Sequence, residues 1–77
     1  MVQAYVLITV AIGKVKKVVE DLKKLKSVKS VHVVTGAYDI IAFVEAEDLS
    51  ALTGVVVKEI HKIKGVVDTN TAIVVEV

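Results

Sequence analysis

Cysteine is absent from this 77-residue chain, which rules out disulfides and thiolate metal sites. Arginine is absent too. It is the side chain best suited to bidentate contacts with phosphate and guanine, so its lack weighs against a nucleic-acid partner. Aromatics are limited to Tyr5, Tyr38 and Phe43. The two histidines, His32 and His61, lie far apart and form no metal-ligand spacing. No apolar run approaches the ~18 residues that a transmembrane helix needs. No basic stretch followed by a cleavage site opens the chain. We therefore expect a cytoplasmic protein with no membrane partner, no metal and no cofactor.

What the chain has in quantity is apolar side chains, 55% of its residues. A domain this small has much surface to cover. The excess predicts that some apolar surface is buried against another copy. Ten lysines face nine acids, a net charge of +1, so the overall charge draws no polyanion.

Val2 to Ile12 reads as a strand, because its even positions are all apolar and its odd positions mixed. Gly13 breaks it and opens a helix over 14–26. There Val15, Val18, Val19, Leu22 and Leu25 recur at steps of three and four. The lysines on the other side read as a solvated face, interrupted by Glu20 and Asp21 and lacking aromatics. A second strand is expected over 28–35 and a third over 39–46. Asp48 suits the N-cap of a second helix over 49–63, with Leu49, Leu52, Val56, Ile60 and Ile63 as its apolar stripe. Gly54 and the run Val55 to Val57 oppose a helix there, but the stripe continues on both sides of them. Gly65 stops the helix, and the last strand covers 66–77.

Between the second and third strands lies Thr35-Gly36-Ala37-Tyr38-Asp39. A glycine between two strand-like runs marks a hairpin turn. Two readings of it stand side by side. In one, Asp39 caps a tight turn. In the other, free backbone amides face a carboxylate while Asp39 faces an ammonium, the complement of a zwitterion.

The chain also echoes itself. Residues 22–28 (LKKLKSV) match 60–66 (IHKIKGV), and Ala4-Tyr5-Val6 matches Ala42-Phe43-Val44, both at an offset of 38. Two βαβ halves with right-handed crossovers make an α+β, ferredoxin-like βαββαβ sandwich. The strand order is 4-1-3-2 and both helices lie on one face. The uncovered face then carries Tyr5, Leu7, Ile41 and Phe43 on the central strands. Burying ~400 Å² of it at ~25 cal/mol/Å² is worth about 10 kcal/mol before association costs. A face-to-face dimer is the simplest solution.

At this point the residues resemble a known family. AYVLITV, the helix after Gly13, VVTGAYDIIAFVEAEDL and the tail IKGVVDTNTAIVV resemble the effector-binding (RAM) domain of Lrp/AsnC transcription regulators. The resemblance covers residues 1–77 as one domain and lacks the family's helix-turn-helix. It implies a stand-alone effector module with no direct DNA contact. It further implies sheet-mediated dimers in a dimeric α/β-barrel-like assembly, rings of four dimers, and co-assembly with full-length Lrp/AsnC regulators. The implied effector is an amino acid or related small metabolite. Carried over by position, Thr35, Gly36, Ala37, Tyr38 and Asp39 would hold its carboxylate and ammonium, with Thr69 and Thr71 lining the pocket. Read without the resemblance, those threonines are β-formers on an exposed strand face.

Two other function classes compete. An RNA-binding module would use Tyr5 and Phe43 as stacking platforms, but the basic-Gly-aromatic signature on the third strand is missing. An enzyme would need a positioned acid, base or nucleophile, and no histidine sits near an acid in a recognisable motif. We expect no catalysis.

Overall fold

The computed structural model describes residues 1–76. Alternation of apolar residues makes four strands, β1 (Val2–Val10), β2 (Val28–Val33), β3 (Ile40–Ala46) and β4 (Val66–Ile73). They form one sheet in the order β2-β3-β1-β4 with every neighbouring pair antiparallel. This is the expected 4-1-3-2 order read from the other edge. Helix α1 spans Val15–Lys23, and α2 spans Leu49–Gly54.

One sheet face is closed by the helices. Ala4, Val6 and Ile8 of β1 and Ile40, Ala42 and Val44 of β3 are buried completely there. Val18 and Leu22 of α1 and Leu52 of α2 lie over them, because helical steps of three and four bring those side chains onto one stripe. Residues opposed in antiparallel strands share a face. The pairs Tyr5↔Phe43 and Leu7↔Ile41 therefore share the other, open face.

Several element ends differ from the sequence expectation. β1 stops at Val10, and Ile12 is wholly exposed. The reason is the loss of ladder partners: β3 begins only at Ile40, opposite Ile8, and the pairing with β4 shifts between Thr9 and Val10. Helix α1 ends at Lys23 because the amides of Lys24 and Leu25 bond back only three residues, to Asp21 and Leu22, which tightens the last turn. β2 ends at Val33 and β4 at Ile73, and Val77 of the expected last strand lies outside the described residues.

The second helix carries the largest correction. It begins as expected, with the Asp48 carboxylate accepting from Ala51 N–H at 2.8 Å. After Gly54 it widens into a π-helical turn over Val55–Ile60, with His61 N–H bonded to the Val56 carbonyl at 2.9 Å. Val55, Val56 and Ile60 are buried along this stretch, together with Leu52 of α2.

Candidate functional site

The turn joins β2 to β3 at the end of the sheet where β1 also finishes. Val34 N–H donates to the Asp39 carbonyl at 2.9 Å and closes the loop. Gly36 sits at φ +120°, a backbone region that favours glycine. The amides of Thr35, Gly36, Ala37 and Tyr38 donate to none of the described residues. Thr35, Gly36 and Ala37 are exposed, while Tyr38 and Asp39 are half-buried.

Asp39 stitches the turn to β1 twice. Its amide donates to the Ile8 carbonyl at 3.0 Å. Its carboxylate Oδ2 accepts from Val10 N–H at 2.8 Å. The capping reading of Asp39 is thus realised on one oxygen. Among the described residues, Oδ1 forms no hydrogen bond and no cation reaches the carboxylate within 4 Å. The ion pairs among the described residues join Asp21 to Lys17 and Lys24. Asp39 therefore keeps an uncompensated charge and open lone pairs beside a run of uncommitted amides.

The other expected site residues divide by face. Thr69 pairs with Ile8 and Thr71 with Val6, so both threonines lie on the helix side. Thr69 Oγ1 is held by His61 Nε2 at the end of the π-helical turn. Thr71 lines a groove of about 180 Å³ with Leu49, Leu52 and Val57 of the second helix and Ile73. The turn reaches the opposite face, where Asn70 Nδ2 donates to Tyr38 Oη over a long 3.4 Å. Asn70 pairs with Leu7, on the open face. Within one chain the turn and the two threonines are not brought into a single pocket.

Asn70 and His61 were not among the expected residues. Period-two alternation from Thr69 and Thr71 carries the signal for Asn70, since the residue between them must face the other way. His61 meets Thr69 only through the fold and has no sequence signal.

The open face groups its residues closely. Tyr5 and Phe43 have ring centroids 5.0 Å apart at 49°. Leu7 and Ile41 continue the patch, and Tyr5 is 47% exposed. Among the described residues no cluster of three histidines or acids can hold a metal ion, and no helix is long and apolar enough to cross a membrane.

Comparison with known proteins agrees with this geometry. A family model described as the Lrp/AsnC ligand binding domain matches residues 3–77. An uncharacterised HTH-type transcriptional regulator of Pyrococcus horikoshii is 36% identical over 74 residues, covering 96% of this chain and 47% of the relative. This chain spans about half the length of the curated relatives it matches. Among solved structures, FFRP-DM1 superposes with a TM-score of 0.93 at 36% identity, covering 97% of this chain and all of that one. AsnC of E. coli does so with 0.93 at 25% identity, covering 97% of this chain and 51% of AsnC. The curated relatives are transcription regulators by name, and the family model spans nearly the whole chain: this chain belongs to the Lrp/AsnC ligand binding domain family.

Proposed function

We propose that this domain is an amino-acid sensor and assembly module, with the Thr35–Asp39 turn as the zwitterion-holding element. The observation that carries the reading is the state of Asp39. One carboxylate oxygen is anchored on Val10, the other is open, and no lysine neutralises it. An ammonium supplies the missing charge, and the uncommitted amides of residues 35–38 suit the carboxylate of the same molecule. Thr69 and Thr71 would complete the pocket from a neighbouring protomer, since their own chain keeps them on the other side of the sheet.

Assembly follows from the open face. Tyr5, Leu7, Ile41 and Phe43 form a contiguous apolar patch that a second copy would cover, giving a dimer from which a ring of four dimers is built. A ligand lodged between protomers stabilises the assembly that contains the complete site. Co-assembly with full-length regulators of the family would pass that signal to DNA without a DNA contact by this domain. The RNA-binding reading is weaker: the tilt between Tyr5 and Phe43 turns the rings toward each other instead of presenting two platforms.

The test is calorimetric titration with the proteinogenic amino acids, alongside sedimentation. A regulator of Neisseria meningitidis that shares the fold (TM-score 0.85, 23% identity) is described in complex with L-Met, which makes methionine the first probe. Binding in the micromolar range is expected. Asp39→Asn, which keeps an oxygen for Val10, is expected to weaken it by about tenfold or more. If no amino acid binds below the millimolar range and sedimentation never responds, the sensor reading is wrong.

A further inference from the structure

The sheet ends in two free edges, β2 and β4, and they are guarded unequally. Beside β2, helix α1 sets Lys16, Glu20 and Lys23 into the wall of a groove of about 530 Å³ that also holds Val33. Charge placed along an edge keeps other strands away, because joining would strip its water. The β4 edge has no such guard. From Thr69 to Val75 the chain reads Thr-Asn-Thr-Ala-Ile-Val-Val, with no charge and no proline. Between this strand and the second helix lies the groove of about 180 Å³, whose lining is wholly uncharged. Three of its lining residues stay wet: Leu49 is 56% exposed, Val57 50% and Ile73 45%.

The backbone of the β4 edge has a defined polarity. Val74 N–H donates inward, to the Gln3 carbonyl of β1 at 2.9 Å. The same register sets Ile73 against Ala4, Thr71 against Val6 and Thr69 against Ile8. Inward-bonding residues alternate along an antiparallel pair, so the N–H and C=O groups of Thr69, Thr71 and Ile73 point outward. Ala4, Val6 and Ile8 are buried under the helices, so the side chains of these three residues also lie on the helix side. A strand joining the edge would bond to Thr69, Thr71 and Ile73. The side chains opposite them would come to lie beside the groove.

The edge is complementary to itself. A two-fold axis through Thr71 sets Thr71 against the partner's Thr71, and Thr69 against the partner's Ile73. Every outward-bonding residue from Thr69 to Ile73 then finds a partner, and none of the bonded pairs contains a charge. The two grooves meet above the seam, with Leu49 and Val57 of one copy facing the partner's Leu49 and Val57. An isologous contact demands such self-complementarity. The β2 edge fails the same requirement, since a two-fold there would set Lys16 and Lys23 against their own copies.

We propose that the β4 edge is an interface between two copies of this chain. Their strands join into one continuous antiparallel sheet with all the helices on the same side. The seam engages the backbone of Thr71 and leaves its side chain at the floor of the joined grooves. It uses neither the Thr35–Asp39 turn nor the face of Tyr5, Leu7, Ile41 and Phe43. The inference therefore stands whether or not an amino acid binds, and it is compatible with a second copy on the open face.

The test combines amide exchange and sedimentation of the whole protein over a range of concentrations. The amides of Thr69, Thr71 and Ile73 should be protected at high concentration and exchange about tenfold faster or more on dilution. Those of Val31 and Val33, outward-facing on β2, should exchange quickly throughout. Thr71→Lys combined with Ile73→Lys, both at exposed positions, should lower the assembled mass about twofold while urea unfolding stays cooperative. Thr71→Pro should do the same, because it deletes an N–H that its own sheet does not use. Leu7→Lys, on the open face, should leave the protection of the β4 amides in place. Three results overturn the proposal. One is exchange of the β4 amides as fast as that of Val31 and Val33 at every concentration. Another is a double-lysine variant that sediments as the parent does. The third is loss of β4 protection in Leu7→Lys, which assigns the cover of this edge to the open-face contact.

Discussion

The two halves of the chain start from one pattern and end with different helices. The offset of 38 aligns Val18 with Val56 and Leu22 with Ile60, and all four are buried. One position before Val18 and Val56 the halves part: Lys17 is exposed and paired with Asp21, while its counterpart Val55 is buried. The first helix remains a regular α-helix with a charged outer side. The second opens into a π-helical turn and turns three residues of Val55–Ile60 toward the core. Equivalent core positions are thus compatible with unequal winding. The difference leaves the first half free to carry lysines and commits the second half more deeply to the core.

The equivalence is tested by its largest expected effects. Leu22→Ala and Ile60→Ala each leave a cavity between helix and sheet and should each cost about 3 kcal/mol in urea unfolding. Costs that differ by more than about 1 kcal/mol would mean that the two halves are not packed equivalently. The point of divergence is tested next. Val55→Ala removes buried methyl groups and should cost about 2 kcal/mol. Asp48→Ala removes the side-chain cap of the second helix and should cost about 1 kcal/mol. The first helix has no side-chain cap at Lys14, so Lys14→Ala should leave the unfolding midpoint nearly unchanged. The smallest effect is expected at Lys17, where replacement by alanine loses an exposed ion pair and should change stability by less than about 0.5 kcal/mol. A loss at Lys17 as large as that at Val55 would erase the contrast drawn between the helices.

Much of this architecture was legible because it rests on neighbours in sequence. The even positions of β1 are apolar, and Ala4, Val6, Ile8 and Val10 are buried. The open-face residues Tyr5, Leu7, Ile41 and Phe43 also followed from alternation, and they meet as two directly opposed pairs. The helix stripe of Leu52, Val56 and Ile60 was readable, but the π-helical turn was not. Gly54 and the three valines after it conflict with a helix without saying how the backbone resolves the conflict. The end of β1 was overextended because Ile12 keeps the alternation after the strands beside it have departed.

The candidate site was legible in part. Gly36 marked a turn that needs positive φ, and Asp39 was identified as a polar group with two possible uses. Its bond to Val10 spans 29 residues and depends on β3 lying beside β1. The bond from Asn70 to Tyr38 spans 32 residues and depends on the register of β4 as well.

By itself the sequence determined which side chains seek the core, where the chain must turn, and that two similar βαβ units follow one another. These are properties of residues one to four positions apart, where covalent geometry fixes direction. The tertiary structure alone decided which oxygen of Asp39 stays open, which face receives Thr69 and Thr71, and where a lysine-rimmed groove lies beside a free strand edge. Those outcomes depend on strand order and register, which bring distant residues to within a hydrogen bond and which no local pattern encodes.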